Sequence, residues 1–141
     1  MAVNRQSLTP GPLNHVALTS ADLEQSERFY CEVLGFRMVT RPSFSFDGRW
    51  LYREEVGPML HLIYDAGHRV PTGDINTRGS HFAMQCEDIE LAVRQLKEHG
   101  IEYVERVLPD RGFRQIFFRD PDGNVVELGE WPDVHQMVAD D

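Results

Sequence analysis

From residue 13 to residue 18 apolar and polar side chains alternate with period two, which predicts a half-buried strand with Leu13, His15 and Ala17 on one face. The period then changes. Asp22 has N-cap chemistry, with Gln25 three positions on, and Leu23, Ser26, Tyr30 and Val33 make a helical stripe ending at Leu34-Gly35, where Gly35 suits a left-handed C-cap. Short strands are expected over 36–40, about 49–54 and 58–64, so the unit reads β-α-β-β-β.

The same pattern returns. A strand is predicted over 81–86, and Asp88 stands 66 positions after Asp22 as a second N-cap. Ile89, Ala92, Val93 and Leu96 follow the i, i+3, i+4, i+7 spacing of an amphipathic helix, with Glu90 and Arg94 as an i, i+4 pair. His99-Gly100-Ile101 corresponds to Leu34-Gly35-Phe36, one residue out of step. Strands are expected over 101–107, 113–119 and 124–130, and Asp120-Pro-Asp-Gly-Asn124 is a strong turn signal between the last two. The predicted organisation is one domain over 11–131, with module one at 11–64, a linker at 65–79 and module two at 80–131. A short tail at 1–10 precedes it and an acidic tail at 132–141 follows. His68, in the linker, is expected to face solvent, and His99 and His135 to be structural or exposed.

At 141 residues such a domain buries roughly two thirds of its unfolded surface without disulfides. Cys31 and Cys86 lack Cys-x-x-Cys spacing and read as core thiols, pointing to a reducing, cytoplasmic setting. A net charge of −9 without a basic cluster disfavours nucleic acid and anionic membranes as partners. No run reaches the ~18 apolar residues of a membrane span. Local arginines remain able to line a pocket for an anion.

Chemistry enters through the repeat. His15 lies 46 positions before His61, and His81 lies 46 before Glu127, each residue in a strand-like run. Donors in register by internal repetition predict one metal ion shared by His15, His61, His81 and Glu127. Glu127 shares its face with Val125 and Gly129, and an unpaired carboxylate among apolar residues costs several kcal/mol, roughly, unless a cation or proton relieves it. Three imidazoles and a carboxylate suit Fe, Ni, Co, Mn or Zn as divalent ions and do not suit calcium.

The two modules, the four donors and Phe117-Phe-Arg-Asp-Pro-Asp-Gly-Asn-Val-Val-Glu127 resemble the vicinal oxygen chelate superfamily of glyoxalase I, bleomycin and fosfomycin resistance proteins, methylmalonyl-CoA epimerase and extradiol dioxygenases. The resemblance covers about residues 11 to 131 and implies an α+β fold, two tandem βαβββ modules forming a curved, partly closed mixed sheet with helices outside. It also implies a metal-dependent enzyme that chelates a small substrate through two oxygens. Glyoxalase-like lyase or isomerase chemistry with Glu127 as the proton-transfer residue is the favoured expectation, and an Fe(II) extradiol-type dioxygenase or a drug-sequestering resistance protein is the alternative. His61 departs from glyoxalase I, which usually has a carboxylate there. For substrate contacts, Trp50 and Tyr52 share one face of their strand. On the 113–119 strand the choice between the faces of Arg114 and of Gln115 is open. A homodimer is expected because a lone chain leaves sheet edges uncovered, and the metal site can lie within one chain or between two.

Overall fold

The computed structural model describes residues 5–139 and 141; residues 1–4 of the expected N-terminal tail and Asp140 lie outside the described residues. Two capped helices frame it. Before α1 (Leu23–Glu32) the Asp22 carboxylate accepts from the Gln25 amide, and before α2 (Ile89–Glu98) Asp88 accepts from the Leu91 amide. Each helix is closed by a glycine with positive φ, Gly35 at 71° and Gly100 at 70°. The closing bonds differ by one residue: Phe36 N–H reaches back to the Tyr30 carbonyl, while Ile101 N–H reaches the Leu96 carbonyl. That difference is the one-residue slip between the copies.

The strands of module one are β1 (His15–Ser20), β2 (Arg37–Val39), β3 (Gly48–Tyr52) and β4 (Met59–Tyr64), and those of module two are β5 (His81–Gln85), β6 (Tyr103–Val107), β7 (Arg114–Arg119) and β8 (Val125–Gly129). They form two four-stranded mixed sheets with equivalent orders, β1-β4-β3-β2 and β5-β8-β7-β6, in which only the first pair of each is parallel. The segment expected as an acidic tail contains a short helix, α3 (Val134–Ala139), none of whose residues is buried. No helix among the described residues is long and apolar enough to cross a membrane.

Period-two alternation sorts each sheet into a core face and an outer face. Leu51, Leu60 and Leu62 point inward in the first sheet with Leu23, Tyr30 and Phe36; Ile116, Phe118 and Val126 do so in the second with Ile89, Ala92, Val93 and Leu96. The two clusters are continuous, because Phe29, Leu34, Phe82 and Met84 pack against both. Helices therefore lie on the side of each sheet away from the donor residues. The two donor faces both turn away from the shared core.

The Asp-Pro-Asp-Gly-Asn turn joins the modules. The Asp120 carboxylate accepts from the amides of Asp122 (3.0 Å) and Asn124 (2.8 Å), from Asn124 Nδ2 (2.9 Å) and from the Tyr30 hydroxyl of α1 (2.7 Å). Asp122 accepts from the Ala21 amide (2.9 Å) and the Ser26 hydroxyl (2.5 Å). His68 is not free in solvent as its loop position led one to expect. Its ring is held at 2.7 Å from both Thr19 Oγ1 and the Asp122 carbonyl, since a buried turn carbonyl needs a donor that the linker can deliver.

Candidate metal centre

In each module the first and closing strands run parallel, and their register brings the two donors together. Ala17 is opposite His61 and Ala83 is opposite Glu127, so His15 and His81 each lie one same-face step away on the diagonal. This shared diagonal produces the 46-residue spacing. The His15 and His61 rings stack with centroids 3.9 Å apart and planes 15° apart. His81 Nε2 lies 3.2 Å from Glu127 Oε1.

The nitrogens' partners decide what these rings can offer. His15 Nδ1 lies 2.8 Å from Asn14 Oδ1, and His81 Nδ1 lies 2.8 Å from the Gly79 carbonyl. Both oxygens accept, so Nδ1 carries the hydrogen in each ring and Nε2 of neutral imidazole keeps a lone pair. His61 Nε2 is shielded from solvent and has no hydrogen-bond partner among the described residues. Burial, then the fields of His15 and Arg41, hold the His61 pKa below the ordinary imidazole range and keep it neutral. Glu127 is 3% exposed, with Oε2 accepting from the Trp131 indole N–H and Oε1 turned to His81. These outer hydrogen bonds are the kind that orient metal-binding imidazoles and carboxylates. The donor set fits a divalent transition ion.

The structure assembles two donor pairs. Among the described residues no three His, Cys, Asp or Glu side chains gather about one point, so His15 with His61 and His81 with Glu127 remain separate pairs within the chain. The four residues named as substrate contacts divide as well. Trp50 stands opposite His61 and stacks on it at 4.4 Å with planes 5° apart, and Tyr52 lies on the same face with the Arg37 guanidinium 5.3 Å above its ring. Gln115 is 7% exposed and shares the Glu127 face with Phe117. Arg114 is on the other face, bonded at 2.6 Å to both Glu90 of α2 and Glu105 of β6, which hold its pKa above the ordinary guanidinium value.

Two features escaped the sequence reading. Trp131 follows β8 and folds back over Gly129, where a Cβ would come within 2.6 Å of the indole Cδ1; the signal was a glycine on the donor face followed two residues later by tryptophan. The other is a loop, residues 40–47, that brings Arg41, Phe44 and Phe46 beside Trp50.

The family model for the glyoxalase/bleomycin resistance protein/dioxygenase superfamily matches residues 12–128. The chain is 36% identical over 121 residues to "Glyoxylase I 4" of Arabidopsis thaliana, covering 82% of this chain and 68% of that protein. It is 28% identical over 130 residues to the lactoylglutathione lyase of Salmonella typhimurium, covering 86% and 93%. Among solved structures, a glyoxalase/dioxygenase from Nostoc punctiforme superposes with TM-score 0.73 at 26% identity, covering 94% of this chain and all (100%) of that one. Over 117 of its residues, and in both its modules, the chain belongs to the glyoxalase/bleomycin resistance protein/dioxygenase superfamily.

Proposed function

We propose that this protein is a homodimeric, metal-dependent enzyme of the glyoxalase type, in which His15 and His61 of one copy and His81 and Glu127 of a second copy hold one divalent ion. The observation that carries the reading is the His81–Glu127 pair. With Nδ1–H committed to the Gly79 carbonyl, Nε2 of His81 is the nitrogen turned to a buried carboxylate 3.2 Å away. Two electron-rich atoms at that distance need a proton or a metal cation between them. The orphaned His61 Nε2 in the other module asks for the same partner. Because the pairs stay apart within one chain, a second copy is what brings them to one ion.

A bound Fe, Ni, Co, Mn or Zn ion supplies Lewis acidity to a small substrate with two neighbouring oxygens. The rest is done by the chain. Trp131 fixes Oε2 of Glu127, so both tasks fall to Oε1: it would hold the ion at rest and would leave it to take a proton from substrate carbon and return it. Relatives described as lactoylglutathione lyase and glyoxylase I support lyase or isomerase chemistry of this kind.

The test is elemental analysis of protein purified without chelator, reconstitution with each ion in turn, and Glu127→Gln assayed on a 2-oxoaldehyde with thiol. One transition ion per chain is expected, with turnover reduced on the order of 10²–10⁴-fold in Glu127→Gln. Near wild-type turnover in that variant overturns the role of Glu127. Iron with oxygen consumption moves the protein to the dioxygenase branch.

A further inference from the structure

The outer face of the first sheet carries more than metal donors. A ladder of rings runs from the His15–His61 stack through Trp50 to Phe44, with centroids 6.1 Å apart, and on to Phe46, 5.2 Å further with planes 20° apart. Phe44 and Phe46 are 46% and 45% exposed. Neighbouring large apolar rings left in water beside a polar site mark a binding surface. Arg41 belongs to the same patch. Its guanidinium carbon lies 4.7 Å from the Phe44 centroid and 5.0 Å from that of Phe46, and its Nη2 donates to the Phe46 carbonyl at 2.7 Å. Gly48 makes room for it, since a Cβ there would come within 3.1 Å of Arg41 Nε and Nη2 and 2.6 Å of the Leu62 carbonyl.

What distinguishes Arg41, in a chain of net charge −9, is its seat on two exposed rings beside the His15–His61 stack. Unlike Arg37, Arg49, Arg53 and Arg114, and like most of the chain's arginines, it lies against no carboxylate among the described residues. It is only partly exposed, and Phe44 beneath it lies 6.1 Å from Trp50, which stacks on His61. A cation kept without a carboxylate and packed on flat rings that lead to His61 is arranged to meet an anion that also offers a flat surface. A cationic ligand would be repelled there, and an aliphatic one would leave the ring faces unused.

From this we infer that the shelf of Arg41, Phe44, Phe46 and Trp50 selects substrates that combine the two chelating oxygens with a flat, unsaturated or aromatic arm and a separate anionic group. The inference rests on the metal-centre reading for where the chelating end sits. It commits to a small molecule as the occupant of the shelf.

Three probes separate the contributions, titrated calorimetrically into the full-length protein both as purified and loaded with Zn(II). 3,4-Dihydroxybenzoate has vicinal oxygens, a ring and a distal carboxylate; catechol lacks the carboxylate; 2-oxoglutarate lacks the ring. The expected order puts dihydroxybenzoate about 10-fold tighter than either of the others. Arg41→Gln should erase its advantage over catechol, and Arg41→Lys should restore part of it. Phe44→Ala should erase its advantage over 2-oxoglutarate; circular dichroism checks that the variants fold. Equal affinities for the three probes overturn the inference. So does a Phe44→Ala or Phe46→Ala variant that shifts the dimer–monomer equilibrium while ligand binding stays the same, because the shelf is then a subunit contact. If zinc changes none of the affinities while the charge and ring preferences persist, the metal reading fails and the shelf stands.

Discussion

Glu127 shows what one residue's surroundings can disclose. It is a buried carboxylate with one oxygen on the Trp131 indole and the other toward an imidazole nitrogen, so each contact can be removed separately. Trp131→Phe deletes the N–H donor and keeps most of the ring. Stability of the metal-free protein should fall by about 1–3 kcal/mol, since a buried acceptor loses its partner, and metal affinity should drop roughly 10–100-fold, as for other outer-shell partners. Thermal unfolding and competition against a chelating dye measure the two. Unchanged metal affinity would mean that the indole packs against Glu127 without orienting it. That His15 and His61, and His81 and Glu127, share a face and a spacing was legible beforehand, because strand alternation and a repeated spacing carry direction and register. Arg114 and Gln115 were not separable that way: alternation says they point to opposite faces but not which face meets the core, and only the contacts of Ile116 and Phe118 with α2 decide it.

At the scale of elements, the turn from Asp120 to Asn124 could be read as a turn from its Pro and Gly, but its task could not. Its two carboxylates tie α1 to module two at both ends of the helix, through partners 90 and 96 residues away in sequence for Tyr30 and Ser26. Bonds of that range depend on how the modules dock, which no local pattern encodes. Helix α3 was missed for a related reason: six residues are too few to show a helical period. The tie predicts a pH dependence. Burial first, then the Asp120 charge, raise the Tyr30 pKa well above the ordinary phenol value, so the folded state favours the protonated form. A pKa raised on folding gives stability that is complete below the unfolded value and is lost as pH rises through the folded one. Wild-type stability should therefore decline from about pH 10 upward. Tyr30→Phe should be about 1–3 kcal/mol less stable at pH 7, where it lacks the bond to a buried carboxylate, and should lack this part of the alkaline decline. Denaturant unfolding at pH 7 and above pH 10 tests it: the gap between the two proteins should narrow as pH rises, and a constant gap would remove Tyr30 as the titrating group.

For the whole molecule, the proposed metal centre raises the question of whose donors would share an ion. The repeat places them equivalently in two modules, and nothing in a single chain's sequence says whether equivalent faces will meet within the chain or across two chains. Docking settles the first half: Phe29, Leu34, Phe82 and Met84 join the inner faces into one core, the donor faces turn outward, and the pairs remain apart. A dimer that closes the site is isologous, so each copy gives its first half-site to one ion and its second half-site to the other. This symmetry makes a prediction that metal analysis of the wild type cannot make. A chain with His15→Ala and His61→Ala has lost one half-site, and a chain with His81→Ala and Glu127→Ala has lost the other; homodimers of either have no complete site. Coexpressed with different affinity tags and purified through both, the mixed dimer has one site built wholly from intact halves and one wholly from damaged halves. Metal content and activity should therefore return to about half the wild-type value per dimer, because the symmetry operation pairs the intact halves with each other. If each chain closed its own site, every site in the mixed dimer would be damaged and both readouts would stay at the level of the parent homodimers.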